Sequence, residues 1–131
     1  MKKLFISVPM KGRTEENIRK SMAKMHKIAE IVFDQELEVI DSYIEDNPPE
    51  NVNRPVWFLG ESIKMLSEAD YFIGVEWQDF WKGCLIENDV VRFYGIPATF
   101  VKVNELMPDC VEIERASWEN DEKCTPRAIG G

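Results

Sequence analysis

Histidine and cysteine are scarce in this chain of 131 residues, which has one histidine and three cysteines. The single histidine, His26, lies among lysines of a predicted helix, which argues against a Ser-His or Cys-His nucleophile pair and against a histidine-rich metal site. The cysteines, Cys84, Cys110 and Cys124, are odd in number and unpaired in spacing, so no disulfide framework is predicted. If the chain is an enzyme, we expect carboxylates to carry its chemistry, with neither a metal nor another cofactor.

An excess of positive charge and long apolar runs are also missing. The formal net charge is -8, which argues against non-specific binding to nucleic acid or to acidic membranes. No apolar stretch approaches the ~20 residues of a membrane span. The apolar residues that follow Lys3 are too few for the core of a signal peptide. We therefore expect a reduced, cytoplasmic protein, with a charge still compatible with a small anionic ligand in a local pocket.

Apolar runs and amphipathic segments do alternate along the chain. Strands are predicted at residues 3–8, 37–40, 71–75 and 97–103, with a helix after each of the first three. This alternation is typical of parallel strands joined by right-handed crossovers. The prediction is an α/β fold with a mostly parallel sheet of four or five strands. One domain is expected over residues 1–118, and a flexible tail over residues 119–131.

The segment Gly83-Cys84-Leu85-Ile86-Glu87-Asn88 follows the third predicted strand and a short loop rich in tryptophan and aspartate. A helix is expected to open at Gly83, with Glu87 in its first turn, where the helix dipole keeps a carboxylate ionised. Ligands of open α/β sheets bind at the carboxyl ends of the strands. Glu87 is therefore either a well-placed nucleophile or an ordinary helix-stabilising charge.

Two further places on the predicted crevice carry candidate residues. The loop at residues 76–81 holds two tryptophans and a phenylalanine, which favour either stacking on a nucleobase or an oligomer interface. Asp79 in this loop is a candidate acid for protonating a leaving base, provided that it faces inward. Asp41 follows the second predicted strand and is expected at the rim of the same crevice.

Several short motifs, in this order and spacing, resemble the nucleoside 2-deoxyribosyltransferase-like family. They are Ser7-x-Pro9-Met10-x-Gly12 after the first strand, Ala69-Asp70 before the third, Gly83-x-x-x-Glu87, and Tyr94-Gly95-Ile96-Pro97. The resemblance covers residues 3 to about 102. It implies a Rossmann-like or flavodoxin-like three-layer sandwich, in a homo-oligomer with shared active sites. It also implies cleavage or transfer at the N-glycosidic bond of a deoxynucleoside or its 5′-monophosphate.

The resemblance also implies roles for particular residues. Glu87 would attack the anomeric carbon and form a glycosyl-enzyme intermediate, which suits an oxocarbenium-like transition state. Lys11 and Gly12 would contact a 5′-phosphate with backbone N–H groups and a cation. The alternative for this loop is a plain strand-to-helix turn in which Gly12 supplies a positive φ. The predicted substrate-binding positions are Ser7, Pro9, Met10, Lys11, Gly12, Asp41, Ser62, Trp81 and Gly83.

The chain departs from the family pattern at two of these positions. Many members have an aspartate where this chain has Ser62, and a serine or aspartate where it has Trp81. A serine can hydrogen-bond a sugar hydroxyl, but it cannot serve as the acid or base. Three possibilities therefore stay open: an enzyme of nucleotide metabolism, a nucleotide-binding protein without turnover that senses or sequesters its ligand, and a structural oligomer.

Overall fold

The computed structural model describes residues 1–10, 12–42, 44–76 and 82–102. Within these residues the elements follow the order β1 (Lys2–Ile6), α1 (Glu15–Phe33), β2 (Leu37–Val39), α2 (Arg54–Leu66), β3 (Tyr71–Glu76), α3 (Lys82–Tyr94) and β4 (Ala98–Lys102). The strands form one parallel sheet in the order β2-β1-β3-β4. The α/β class and the parallel sheet are thereby confirmed. The predicted tail lies outside the described residues, so the domain limits stay a prediction.

The sequence predicts a first helix with Thr14 as its N-cap, and α1 begins there. The Thr14 side chain accepts a hydrogen bond of 3.1 Å from the backbone N–H of Asn17. The helical spacing of Ile18, Met22, Met25, Ala29 and Val32 in the sequence predicts one buried stripe. Met25 and Ala29 are buried, but Val32 is 53% exposed, so its assignment to the stripe is wrong. Phe33 takes that place instead, with its ring centroid 4.3 Å from that of Tyr71. Near its C-terminus, α1 therefore turns Phe33 toward the sheet in place of Val32.

The core consists of two clusters, because successive strand residues point to opposite faces of the sheet. One cluster contains Leu4 and Ile6 of β1 together with Met25 and Ala29 of α1. The other contains Phe5 and Phe72, whose rings are stacked at 5.9 Å, together with Leu66 of α2 and Val91 of α3. Helix α1 therefore packs against one face of the sheet, and α2 and α3 pack against the other.

The sequence pattern predicts that residues 56–60 lead into a helix that continues through Ala69 and ends at Asp70. Helix α2 begins and ends earlier than this. Its N-cap is Asn53, whose side-chain oxygen accepts a 3.2 Å hydrogen bond from the backbone N–H of Val56. It ends at Leu66, so Asp70 does not end the helix; the Asp70 carboxylate accepts a 2.8 Å bond from the backbone N–H of Lys3. The buried stripe of α2 comprises Phe58, Ser62 and Leu66. Ser62 is thus directed into the protein.

Candidate active site

The site lies where the chain leaves the carboxyl ends of β1 and β3. From β1 the chain continues into α1 on one face of the sheet, and α3 lies on the opposite face, so a crevice is expected between these two strand ends. Ser7 directly follows β1, and Glu87 lies in α3, the helix that follows β3. The topology therefore brings these two candidate residues to the same edge of the sheet.

The expectation for Glu87 is wrong in two respects. Helix α3 begins at Lys82, which places Glu87 in the second turn, and the first turn holds no acidic residue. The side chain has no exposed surface. Burial raises the pKa of Glu87 from its ordinary 4.5 to about 7, so the carboxyl is not held ionised as a first-turn charge would be. Desolvation therefore outweighs any stabilisation that the helix dipole supplies.

Two serine hydroxyls bind the carboxyl group of Glu87, one at each oxygen. Ser7 Oγ donates to Oε1 at 2.6 Å, and Ser62 Oγ donates to Oε2 at 2.5 Å. Both serines are buried, at 0% and 1% exposure. These bonds lower the pKa of Glu87 because they favour the ionised form, although burial has the larger effect. Residues from β1's end, α2 and α3 thus converge on one carboxyl, here called the Ser7–Glu87–Ser62 cluster.

The cluster can support chemistry that needs a carboxyl near neutrality. With a pKa of about 7, Glu87 is about half ionised at pH 7 and can act as a nucleophile or exchange a proton. A strongly shifted carboxyl at the strand ends of an α/β sheet is a reasonable candidate for an active site. The serines hold the carboxyl in place and cannot themselves supply an acid with a suitable pKa.

Hydrogen bonds within the protein hold the loop after β1 in place. Pro9 is buried and Met10 is half-buried, and Gly12 has a φ of 77°, which agrees with the predicted positive φ. The guanidinium of Arg13 donates to the Pro9 carbonyl at 2.9 Å and to Ser21 Oγ at 2.5 Å. Arg13 therefore ties this loop to α1.

The other predicted site residues are less closely tied to the cluster. Gly83 is buried in the first turn of α3. Asp41 is exposed just after β2, an edge strand that β1 separates from β3. The predictions for Lys11, Asp79 and Trp81 fall outside the described residues.

Sequence reasoning missed Asn88. Its side chain is 3% exposed, and its Nδ2 donates to the backbone carbonyl of Val75 at 3.0 Å. A signal was present, because Cys84, Asn88 and Val91 are spaced as one face of a helix and the two flanking members are apolar. A polar residue in the middle of such a stripe is expected to have a buried hydrogen-bond partner.

The part of the chain that the structure describes contains neither a metal-binding cluster nor a membrane-spanning helix. No group of three or more histidine, cysteine, aspartate or glutamate side chains comes together there to hold a metal ion. None of the described helices combines the length and apolar character needed to cross a membrane. Comparison of the chain with protein-family models, curated proteins and solved structures found no match. The geometry of the Ser7–Glu87–Ser62 cluster is therefore the main ground for a functional argument.

Ser62→Ala is expected to raise the pKa of Glu87 further. The substitution removes one of the two hydrogen bonds that favour the ionised carboxyl and leaves the burial in place. A ¹³C NMR titration of the Glu87 carboxyl carbon measures the change. The matched control is Ser67→Ala, since Ser67 is exposed at the end of the same helix and bonds only locally, to the Lys64 carbonyl. An unchanged or lower pKa in Ser62→Ala would contradict the assignment of this bond.

Proposed function

We propose that this protein cleaves or transfers at the N-glycosidic bond of a (deoxy)nucleoside or its 5′-monophosphate, with Glu87 as the nucleophile. The observation that carries the proposal is the buried carboxyl of Glu87, bound at both oxygens by Ser7 and Ser62. Cleavage of a glycosidic bond passes through an oxocarbenium-like transition state, which an adjacent carboxylate stabilises and then traps. The resemblance of residues 7–12 and 83–87 to nucleoside 2-deoxyribosyltransferase-like proteins supports this choice of bond and substrate.

The proposed reaction has two steps. In the first, a Glu87 oxygen bonds to C1′ as the C1′–N bond breaks, and the base leaves with the bonding electron pair and takes up a proton. Asp79 is the predicted donor of that proton. In the second, water or another base bonds to C1′ as the C1′–O bond to Glu87 breaks, and the proton that this acceptor loses passes to Asp79, which restores the predicted acid. This step regenerates the carboxylate and releases either the free sugar or a new nucleoside.

The proposal extends to the fold family and the assembly. The strand order β2-β1-β3-β4 and the core clusters on both faces of the sheet support a Rossmann-like or flavodoxin-like three-layer sandwich. A cytoplasmic homo-oligomer with shared active sites completes the proposal. Light scattering after size-exclusion chromatography tests the oligomer.

Release of free base is the direct test. The purified protein is incubated with each deoxynucleoside monophosphate and each deoxynucleoside, with and without a second base as acceptor, and the products are separated by chromatography. We expect base release from at least one substrate, and base exchange if a base replaces water as the acceptor. No release from any of them, under conditions in which the protein is folded, would overturn the proposed activity.

A second candidate function is nucleotide binding without turnover. It is favoured by the absence of exposed surface on Glu87 and by the hydroxyl already bound at each of its oxygens. A substrate reaches such a carboxyl only if the site opens. A binding protein predicts a rise in melting temperature that grows with nucleotide concentration, with no released base. If nucleotides neither raise the melting temperature nor release a base, the remaining possibility is a structural oligomer.

A further inference from the structure

The hydrogen-bond ladder between β1 and β3 stops at a proline. Ile6 pairs with Ile73 in the parallel register, and the backbone N–H of Ser7 donates to the Ile73 carbonyl at 2.9 Å. Backbone groups that point toward the same neighbouring strand recur at every second residue. The next bond on this edge would therefore join the nitrogen of residue 9 to the Val75 carbonyl. Residue 9 is Pro9, which has no N–H to donate.

Asn88 of α3 supplies the donor that Pro9 lacks. Its Nδ2 donates to the Val75 carbonyl at 3.0 Å, and the bond is buried. A buried carbonyl without a partner costs free energy, so this bond has a structural reason to exist. The donor to this carbonyl is therefore a side chain of helix α3 and not a backbone group of the loop after β1. The bond consequently ties α3 to the carboxyl end of β3.

The contact between Asn88 and β3 is close. A Cβ at Gly74 would lie 2.5 Å from Asn88 Oδ1 and 2.7 Å from the Phe72 ring, so only glycine leaves room for the amide in this position. Asn88 Oδ1 is buried and has no hydrogen-bond partner among the described residues. The amide therefore keeps this position although only its nitrogen is bonded, which points to a constraint on where α3 lies.

We infer that Asn88 is a positioning residue, which fixes α3 against the end of β3 so that Glu87 meets Ser7 and Ser62. Adjacent helical residues point about 100° apart, so Asn88 can bond β3 while Glu87 reaches toward Ser62 of α2 and Ser7 after β1. Ser7 itself is held by its bond to Ile73, two residues before the carbonyl that Asn88 binds. Hydrogen bonds to β3 thus fix both the helix that carries Glu87 and its partner Ser7. The significance of Asn88 for catalysis rests on the proposed function, whereas its effect on Glu87 does not.

The test is a ¹³C NMR titration of Glu87 in folded Asn88→Ala. Removing the amide frees α3 from the end of β3, so Glu87 is no longer held against Ser7 and Ser62. We expect the pKa of Glu87 to rise by at least about half a unit, because the bonds from the two serines favour the ionised carboxyl. Asp89→Ala is the matched control, because Asp89 is the next residue on α3, is half-exposed and pairs only loosely with Arg92, at 3.9 Å. It is expected to leave the titration unchanged.

Gly74→Ala perturbs the same contact from the other side and serves if Asn88→Ala does not fold. Its added methyl group meets both the Asn88 amide and the Phe72 ring, so the variant by itself should also shift the Glu87 titration. Where Asn88→Ala folds, the part of the Gly74→Ala effect that acts through Asn88 should be lost in the double variant. A Glu87 titration that matches the wild type in whichever of these variants folds would overturn the inference. The titration needs no substrate, so this failure is distinct from an absence of base release, which would overturn the proposed function alone.

Discussion

Glu87→Gln is expected to lower kcat/KM for base release by on the order of 10³-fold or more, with the fold retained. The amide has the shape of the carboxyl, and the hydroxyls of Ser7 and Ser62 can each donate or accept, so both hydrogen bonds can be kept. An amide, however, is a poor nucleophile and carries no charge to stabilise an oxocarbenium-like transition state. The substitution therefore removes the proposed nucleophile while the hydrogen bonds to both serines can be kept.

The measurement is the rate of base release at several pH values. Only the ionised carboxyl attacks, so kcat/KM of the wild type should rise with pH and level off above a pKa near 7. Glu68→Gln is the matched control, because Glu68 is 62% exposed and makes only a 3.8 Å ion pair with Lys3; it should retain wild-type activity. Base release by Glu87→Gln at the wild-type rate would remove Glu87 from the mechanism, although the activity itself would stand.

The elements of the fold follow from local patterns, whereas the exception at Val32 has a cause that is not local. Thr14 and the apolar spacing of α1 predict its start, and the apolar runs predict all four described strands to within about two residues. The prediction that Val32 ends the buried stripe of α1 is wrong. A helical period of 3.6 residues allows either Val32 or the adjacent Phe33 to face the sheet. Packing against Tyr71 of β3 decides between them, and that contact joins distant parts of the chain.

The sequence predicts which residues form the site, but it does not predict how they contact one another or how deeply they are buried. Ser7, Ser62 and Glu87 were all candidates, but the two serines were expected to face a ligand and Glu87 to be an ionised residue of a first turn. The bonds that join them span 80 and 25 residues of sequence, so no local pattern contains them. Burial, which sets the pKa of Glu87, is likewise a property of the folded chain.

The protein is expected to lose stability between pH 4.5 and 7 because of Glu87. Its pKa is 4.5 unfolded and about 7 folded, so in this range the folded state holds a proton that the unfolded state has released. The stabilisation is fully present below pH 4.5 and is lost as the pH rises through 7. The difference of about 2.5 pKa units corresponds to roughly 3 kcal/mol, or about 10 °C in melting temperature for a chain of this size.

Glu87→Gln isolates this contribution, because every other titrating group is shared with the wild type. The free energy of unfolding is measured by urea denaturation at intervals from pH 4 to 8 for both proteins. Their difference should shift in favour of Glu87→Gln by about 3 kcal/mol across that range, while Glu68→Gln should follow the wild type. Parallel curves for the wild type and Glu87→Gln would mean that the pKa of Glu87 is not raised. The carboxyl would then be ionised at neutral pH, and the steep rise of kcat/KM with pH near 7 should vanish with it.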